Sequence, residues 1–416
     1  MKVAWIENPL TPKHSGVWRY NQMVRRELEK LDDIELTTEA TTGRDLPPLL
    51  VNQDGTVKAV YVQERPPRYP WVPMWFKYFV KNVVRDNLRR VWHRVLGLGW
   101  DDLQFLRPPA MPNPDENQLV HMTDQYLASG ISFIRPRPLI ITVHDIIPYI
   151  VERDYKLNLY ERKFHRFLYH LAMRNLHKAS AIIADSHFTK DSLAAVHPKL
   201  IDRIHVVHLG VAHDRFTSEP VAEDFRKKMG LTPDQPYIVH ISNEAPHKNF
   251  RTLLEAFAKV HAERPDVLLV KLGRAHNADH HQETLNLIKS LGIRDVVKFV
   301  EQVTDEDVVN WYRGASVMVV PSLVEGFGLP VLEAMACGTP VVSSDAETLV
   351  EIAGDAAIIV PRMDHDAYAQ AILKVLNKPD VAHDMAEKGL EHVKKFTWEN
   401  TAREIIDIYQ SVANAR

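Results

Sequence analysis

The sequence predicts an α/β protein made of two doubly wound parallel-sheet domains. A length of 416 residues exceeds what one compact core normally holds, which favours two domains or more. Short β-branched runs alternate with amphipathic helical stretches in both halves, the pattern of strands buried on both faces between helical layers. Hydrophobic residues make up 45% and charged residues 25%, which excludes a disordered chain, and 16 glycines exclude a collagen-like one.

The strand-like runs fall into two sets of similar length. In the first half they are Val3–Glu7, Val57–Val62, Leu139–His144, Ala181–Ala184 and Ile204–His208. In the second half they are Tyr237–Ser242, Val267–Leu272, Val296–Val300, Val317–Val320, Pro340–Ser343 and Ala357–Val360. Apolar residues at steps of three and four predict a helix over Asn249–Ala262. The polar stretch Val211–Pro220 separates the sets, so the predicted domains are 1–212 and 213–397, with a terminal helix over 398–416 as a candidate to pack on the first domain.

The composition also suggests a compartment. Cys337 is the only cysteine, which excludes an internal disulfide and multi-cysteine metal sites and fits a reducing environment. The run Met1–Glu7 meets a charge too early for a secretory signal, and no apolar run approaches the ~20 residues of a membrane span. We therefore expect a cytoplasmic protein.

The net charge of −3 conceals two different halves. Residues 1–210 carry 29 basic and 23 acidic residues, whereas residues 211–416 carry 22 and 31. Residues 68–100 alone hold seven basic residues and one acidic residue, which accounts for the whole excess of the first half. One concentrated basic segment therefore needs an explanation.

The most informative segment is residues 321–340, which follow a buried strand. Gly326 and Gly328 allow close approach of the backbone to a ligand. Pro330 suits the first turn of a helix and Gly338 the position after its end. The free N–H groups at the start of this helix could bind an anion, and a carboxylate such as Glu333 could accept hydrogen bonds from sugar hydroxyls. A well-capped structural helix with incidental acids fits the same pattern equally well.

Two glutamates set within the letters EGFGLPVLEAMACGTPVV make this segment similar to the signature of glycosyltransferase family 4. The stretches Pro246–Phe250, Lys271–Arg274, Phe299–Glu301 and Trp311–Ala315 also resemble that family in the same order, as do Thr142–Pro148 and Ala184–Lys190. The resemblance covers nearly all of the second domain and about residues 120–210 of the first. It implies the GT-B fold, in which two facing Rossmann-like domains bind the nucleotide sugar in the cleft between them, mainly through the C-terminal domain.

The resemblance also implies roles for individual residues. Lys248 would pair with the donor diphosphate, Glu325 would lie near the transferred sugar, and Glu333 would hold the ribose. His144 would lie near the transferred sugar from the first domain, although a hydrogen-bonded core histidine is the plainer alternative. The remaining predicted donor-binding residues are Gly16, Ser242, His247, Arg274, Glu301, Gly326, Phe327, Gly328 and Leu329.

The sequence departs from the family at the phosphate loop. Many relatives have a glycine after the strand and an arginine before the lysine, where this chain has Ser242 and His247. Arg274 could supply the missing charge, or it could be an ordinary surface arginine. No metal is predicted: the acids at 305–307 and 364–366 suit the first turns of helices, and His276, His280 and His281 lie in a polar loop.

The basic segment resembles nothing specific. Aromatic and aliphatic residues are bordered by cations every four residues, a pattern typical of a helix that lies on an anionic membrane. An amphipathic helix packed on the first-domain sheet is the other interpretation. The candidate membrane- or acceptor-binding residues are Trp75, Lys77, Lys81, Arg85 and Arg89.

Together with the resemblance, which implies retention of the anomeric configuration, these observations predict a cytoplasmic, retaining, metal-independent glycosyltransferase without a cofactor. Its substrate would be a nucleotide-diphosphate sugar, with a mannose- or glucose-type hexose favoured, and its acceptor a glycan or lipid-linked glycan at the inner membrane face. The alternatives are another GT-B enzyme, such as a phosphorylase or a nucleotide-sugar epimerase, and a catalytically silent scaffold that binds a membrane or partner. No nucleic-acid partner is expected.

Overall fold

The structure is a computed structural model that describes residues 1–7, 15–31, 34–40, 50–51, 57–58, 119–133, 138–157, 159, 163–221, 224–275, 278–301 and 303–415. Its contacts divide the chain into two compact units. The first comprises residues 1–15, 32–142 and 160–180, and the second comprises 16–31, 143–159 and 181–416. The predicted division at 212/213 follows the sequence pattern and stays a prediction.

The first unit contains a parallel sheet in which strands pair in the order β2-β1-β5-β6. These strands are β1 (Lys2–Glu7), β2 (Glu35–Ala40), β5 (Leu119–Met122) and β6 (Leu139–Val143). The sequence did not predict β2 or β5. The first is too polar, and the second is only four residues long and includes His121, whose Nε2 lies 2.8 Å from Thr142 Oγ1.

Residues 57–58 also differ from expectation. They form strand β4 (Val57–Lys58), which pairs antiparallel with β3 (Leu50–Val51) in a separate two-stranded sheet. The run Val57–Val62 was predicted as part of the parallel layer because its composition is β-branched. Composition alone does not distinguish the two kinds of sheet.

The second unit contains a six-stranded parallel sheet in the order β11-β10-β9-β12-β13-β14. Its strands are β9 (Tyr237–Ile241), β10 (Leu268–Leu272), β11 (Val297–Val300), β12 (Val317–Val320), β13 (Val341–Ser344) and β14 (Ala357–Val360). This is the doubly wound order 3-2-1-4-5-6, which places the switch point between β9 and β12. Strands β7 (Ala181–Ala184) and β8 (Ile204–Val206) also pair in parallel within this unit.

Helices alternate with these strands, and the helix Phe250–Glu263 matches the one predicted over Asn249–Ala262. They are α1 (Gly16–Leu28), α2 (Ile147–Asp154), α3 (Lys163–Asn175), α4 (His187–Val196), α5 (Phe225–Lys228), α6 (Phe250–Glu263), α7 (Ala278–Ser290), α8 (Asp305–Arg313), α9 (Leu329–Ala336), α10 (Glu347–Ala353), α11 (His365–Asn377), α12 (Pro379–Val393) and α13 (Trp398–Asn414). Apolar faces of α6 and α11 pack with the sheet to form the core of the second unit.

The terminal helix α13 contacts α1 and β7, all within the second unit. Thr401 Oγ1 donates a hydrogen bond to the His208 carbonyl at 2.7 Å, and a Cβ on Gly210 would lie only 2.2 Å from the Trp398 nitrogen. The helix is thus fitted closely to the chain that follows β8. Among the described residues, no helix combines the length and apolar character that crossing a membrane requires.

Candidate functional site

The loops after β9 and β12 meet at the switch point of the second sheet. Asn249, in the left-handed conformation before α6, joins them: its Nδ2 donates to the carbonyls of Pro321 at 3.0 Å and Arg362 at 2.7 Å. The Leu323 nitrogen donates to the His247 carbonyl at 2.8 Å. These bonds fix the lysine-bearing loop against the glycine loop, where doubly wound proteins bind their ligands.

Lys248 and Glu325 form an ion pair across these loops. Lys248 Nζ lies 2.8 and 2.7 Å from the two carboxylate oxygens of Glu325, and Ser322 Oγ donates to Oε1 at 2.7 Å. Burial alone would raise the pKa of Glu325, but Lys248, His247 and Ser322 hold this pKa below its ordinary value. The carboxylate is therefore charged at neutral pH. Sequence reasoning predicted both residues for the site, and the structure brings them together.

The glycine loop has the backbone that the sequence indicates. Gly328 has φ +104°, and it directly precedes α9, which has Pro330 in its first turn. Gly338 follows the end of that helix with φ +73°, so the predicted start and end of α9 are confirmed. A Cβ on Gly326 would lie 2.5 Å from the His144 carbonyl oxygen, so only glycine fits there. Phe327 and Leu329 in the same stretch are buried.

Glu333 is buried on α9 and already paired. Arg19 of α1 forms an ion pair with Oε1, and the Tyr312 hydroxyl donates to Oε2 at 3.0 Å. Sequence reasoning assigned no role to Arg19, because no pattern links it to a carboxylate 314 positions away. Gly16, the predicted glycine of the same segment, begins α1, and a Cβ there would lie 3.8 Å from Leu329 Cδ1.

His144 follows β6 and is buried beside the glycine loop. Its Nδ1 lies 2.7 Å from Asp185 Oδ2, and its ring packs edge-on against Tyr20 at 4.9 Å. Ser186, next to that aspartate, donates from Oγ to the Gly326 carbonyl at 2.9 Å. A histidine held by a buried carboxylate has a fixed ring orientation. Asp185 was missed as a functional residue, although it lies in a segment that resembles the family.

The other predicted donor residues occupy different environments. Ser242 follows β9 and its Oγ lies 2.7 Å from His240 Nε2, while His247 is buried in the lysine-bearing loop. Arg274 and Glu301 are exposed at the ends of β10 and β11. The structure therefore gathers the lysine and glycine loops closely and leaves those two side chains at the surface.

Two further predictions concern acids and the basic segment. Thr304 accepts a hydrogen bond from the Asp307 nitrogen at the start of α8, and Asp364 caps α11 by accepting from the nitrogens of 366 and 367. The helix-start interpretation of both acidic runs is confirmed. The candidates Trp75, Lys77, Lys81, Arg85 and Arg89 lie outside the described residues.

A doubly wound sheet whose switch point carries a lysine, a glycine loop and a helix N-terminus defines a class of α/β proteins suited to binding phosphate-bearing ligands. The model for Glycosyl transferases group 1 matches residues 221–392, and that for Glycosyltransferase Family 4 matches residues 111–215. The chain is 30% identical over 295 residues to the O-antigen chain mannosyltransferase B of Escherichia coli, covering 68% of this chain and 74% of that protein. The chain belongs to glycosyltransferase family 4.

Other similarities are more partial or more distant. The chain is 32% identical over 239 residues to D-inositol 3-phosphate glycosyltransferase 2 of Catenulispora acidiphila, and the match spans 56% of each protein, a little over half of that relative's length. Among solved structures, sucrose-phosphate synthase from Thermosynechococcus elongatus superposes with a TM-score of 0.68 over 100% of both chains at 22% identity. The Anabaena protein HepE in complex with UDP-glucose gives 0.65 at 17% identity, over 99% of this chain and 100% of that one. The predicted GT-B fold class is confirmed.

Proposed function

We propose that this chain is a retaining, metal-independent glycosyltransferase that moves a hexosyl unit from a nucleotide-diphosphate sugar to a hydroxyl of a glycan or lipid-linked glycan. The Lys248–Glu325 pair at the switch point is the observation that carries the proposal. Mannose and glucose donors are favoured because relatives include a protein named as a mannosyltransferase and a fold neighbour solved with UDP-glucose.

The lysine would stabilise the leaving diphosphate. Its ammonium is partly exposed and faces the loop that precedes the N-terminus of α9, so a diphosphate would meet both a cation and the positive end of that helix. Negative charge grows on the diphosphate as the bond to the sugar breaks. A fixed cation at that point stabilises the transition state more than the ground state.

The carboxylate and the histidine would orient the transferred sugar. Glu325 is held by Ser322 and Lys248, and the His144 carbonyl lies against Gly326 of the same loop. In the same-face route that we favour, the acceptor oxygen attacks the anomeric carbon as the diphosphate leaves from that face. The acceptor proton passes to the departing phosphate oxygen, and the configuration is retained.

Donor hydrolysis without acceptor tests the assignment. We expect Lys248→Ala and Glu325→Ala to lower turnover by about 10²- to 10³-fold, the usual effect of removing a transition-state charge partner. Lys259→Ala is the matched control, because this exposed lysine pairs with Asp366 outside the switch point. Undiminished hydrolysis in both site variants would contradict the assignment of Lys248 and Glu325 to the donor site.

A thermal-shift screen of nucleotide sugars would identify the donor, because a ligand that binds only the folded state raises its stability. A matching donor that stabilises the protein but is never hydrolysed or transferred would favour the silent scaffold. Phosphate-dependent cleavage or conversion of one free nucleotide sugar into another would favour a phosphorylase or an epimerase.

The basic segment supplies a separate hypothesis, that a membrane surface presents the acceptor. Its pattern of cations and aromatics is the support for this part of the proposal. Liposome flotation with anionic and neutral lipids tests it in the wild type and in a variant with Lys77, Lys81, Arg85 and Arg89 changed to glutamine. Binding that does not depend on anionic lipid or on these cations would exclude it.

A further inference from the structure

Three side chains from separate parts of the second unit converge away from the Lys248–Glu325 pair. His187 lies in the first turn of α4, His208 follows β8, and Glu351 lies on α10. One nitrogen from each histidine and one carboxylate oxygen all lie within 4.8 Å of one another. In the part of the chain that the structure describes, this is the one group of three or more such ligands at that spacing.

The carboxylate and one histidine are held in place by other contacts. Glu351 accepts hydrogen bonds from the backbone nitrogens of His187 at 2.9 Å and Phe188 at 3.3 Å. His208 Nε2 lies 2.7 Å from Glu351 Oε1, and its ring packs near Phe327 and Phe396 with centroid distances of 6.0 and 5.9 Å. Backbone donors and ring packing of this kind orient ligand atoms before an ion arrives.

We infer that His187, His208 and Glu351 form a binding site for Zn²⁺ or a similar first-row divalent metal ion. Two imidazole nitrogens and one carboxylate oxygen form a donor set that zinc accepts, with a fourth position open to water. Ligand atoms around a tetrahedral zinc lie about 3.3 Å apart, given Zn–N bonds of about 2.0 Å. Rotation of the exposed His187 would close the remaining gap.

The surroundings provide room and negative charge. A cavity of about 280 Å³ adjoins His208 and Glu351 and is also lined by Glu404, Asn400 and Lys395. Glu404 adds a second carboxylate to the cavity beside the proposed ion, and the cavity has space for a water ligand. The lysine ammonium lies over the Phe396 ring at 5.2 Å.

Metal binding would join α4 to α10 next to the glycine loop. At present His208 Nε2 and Glu351 Oε1 share a hydrogen bond, so the ion would take the place of that proton, which passes to solvent. Ser186, which precedes His187, donates to the Gly326 carbonyl, so the metal site lies one residue from a contact of the glycine loop. The site does not depend on the proposed glycosyl transfer.

Zinc titration of the tag-free, chelator-treated full-length chain tests the inference. We expect one Zn²⁺ per chain by elemental analysis after equilibrium dialysis. Co²⁺ in its place should give the strong visible absorption of a four-coordinate ion. His208→Ala and Glu351→Gln should each weaken binding by about 100-fold or more, because even residues that only support a ligand are worth about 10- to 100-fold.

His205→Ala is the matched control, since this exposed histidine lies on β8 three positions before His208 and outside the cluster. It should bind zinc as the wild type does. Glu351→Gln keeps one of the two oxygens that accept the backbone N–H groups of α4, and circular dichroism without metal confirms folding. If it does not fold, His187→Ala carries the same test. Absence of stoichiometric binding in the wild type, or equal binding in the cluster variants, would overturn the inference.

Discussion

Two lysine–glutamate pairs lie near the carboxyl ends of adjacent strands in the same sheet, and they differ in their access to water. Side-chain exposure is 22% for Lys248 and 13% for Glu325, whereas it is 0% for Lys271 and 1% for Glu244. Lys271 also donates to the carbonyls of Gly273 at 2.6 Å and Arg274 at 3.3 Å. We call Lys248–Glu325 the open pair and Lys271–Glu244 the sealed pair.

The sealed pair has protein partners on both sides. Glu244 lies 3.0 Å from Lys271 Nζ and 2.9 Å from His281 Nδ1. Burial pushes the pKa of Glu244 upward, but the bonds from His281 and Lys271 hold this pKa below its ordinary value. A pair with this many internal partners stabilises its loop, while a pair open to water can exchange one partner for a substrate phosphate. Exposure to water therefore distinguishes a structural ion pair from a functional one more clearly than charge does, because both pairs carry the same charges.

The largest expected effect concerns the sealed pair. Lys271→Met should lower the free energy of unfolding by about 3–5 kcal/mol, because it leaves the buried Glu244 carboxylate without its ammonium partner. Urea denaturation measures this loss. The double variant Lys271→Met/Glu244→Gln should recover a large part of it. A single variant as stable as the wild type would show that the pair is not sealed.

The open pair should show the opposite balance. Lys248→Met should lower the free energy of unfolding by only about 1–2 kcal/mol, since water can reach Glu325 once the ammonium is gone. Donor turnover should nevertheless fall by about 10²- to 10³-fold. Urea denaturation and donor hydrolysis on the same preparation give both numbers. Equal stability losses in Lys248→Met and Lys271→Met would contradict the distinction between the open pair and the sealed pair.

His240 interacts electrostatically with both pairs, and its titration makes the free energy of unfolding depend on pH. Burial, with Lys271 and Lys248 nearby, lowers the pKa of His240 to about 4 from the ordinary 6.5. Below pH 6.5 the unfolded chain therefore takes up a proton that the folded chain does not, and stability falls as the pH falls towards 4. The expected loss is about 2 kcal/mol between pH 7 and pH 5. Urea denaturation at both pH values measures it, and His240→Gln should remove most of the difference. An unchanged pH dependence in that variant would contradict the assignment.

The sequence predicted the strands of the second sheet and the glycine loop before α9 well because local signals determine them. Strand β12 matches its predicted run, and β9 ends one residue before the predicted limit. Glycine and proline at fixed offsets identified the loop before α9. The resemblance assigned Lys248 and Glu325 to the same donor site, but the ion pair between them was not predicted.

The sealed pair and the histidine cluster were missed because they depend on tertiary contacts. His208 and Glu351 are 143 positions apart, and no periodicity connects them. One signal was available for the sealed pair. Lys271 is a lone cation in the otherwise apolar run Val267–Leu272, and a buried strand cannot hold a lysine without a carboxylate nearby. That rule demands a partner, but only the structure identifies Glu244.

The smallest expected effect tests whether the two pairs are independent. Ser322→Ala removes one hydrogen bond to Glu325, so stability or donor binding should change by about 1 kcal/mol. Because the Ser322 hydroxyl bonds to Glu325 of the open pair, its effect should couple to Lys248→Met and add to Lys271→Met within about 0.5 kcal/mol. Double-mutant cycles by urea denaturation measure both terms. Strong coupling of Ser322 to Lys271 would mean that the two pairs form one network, with His240 between them as the connecting group.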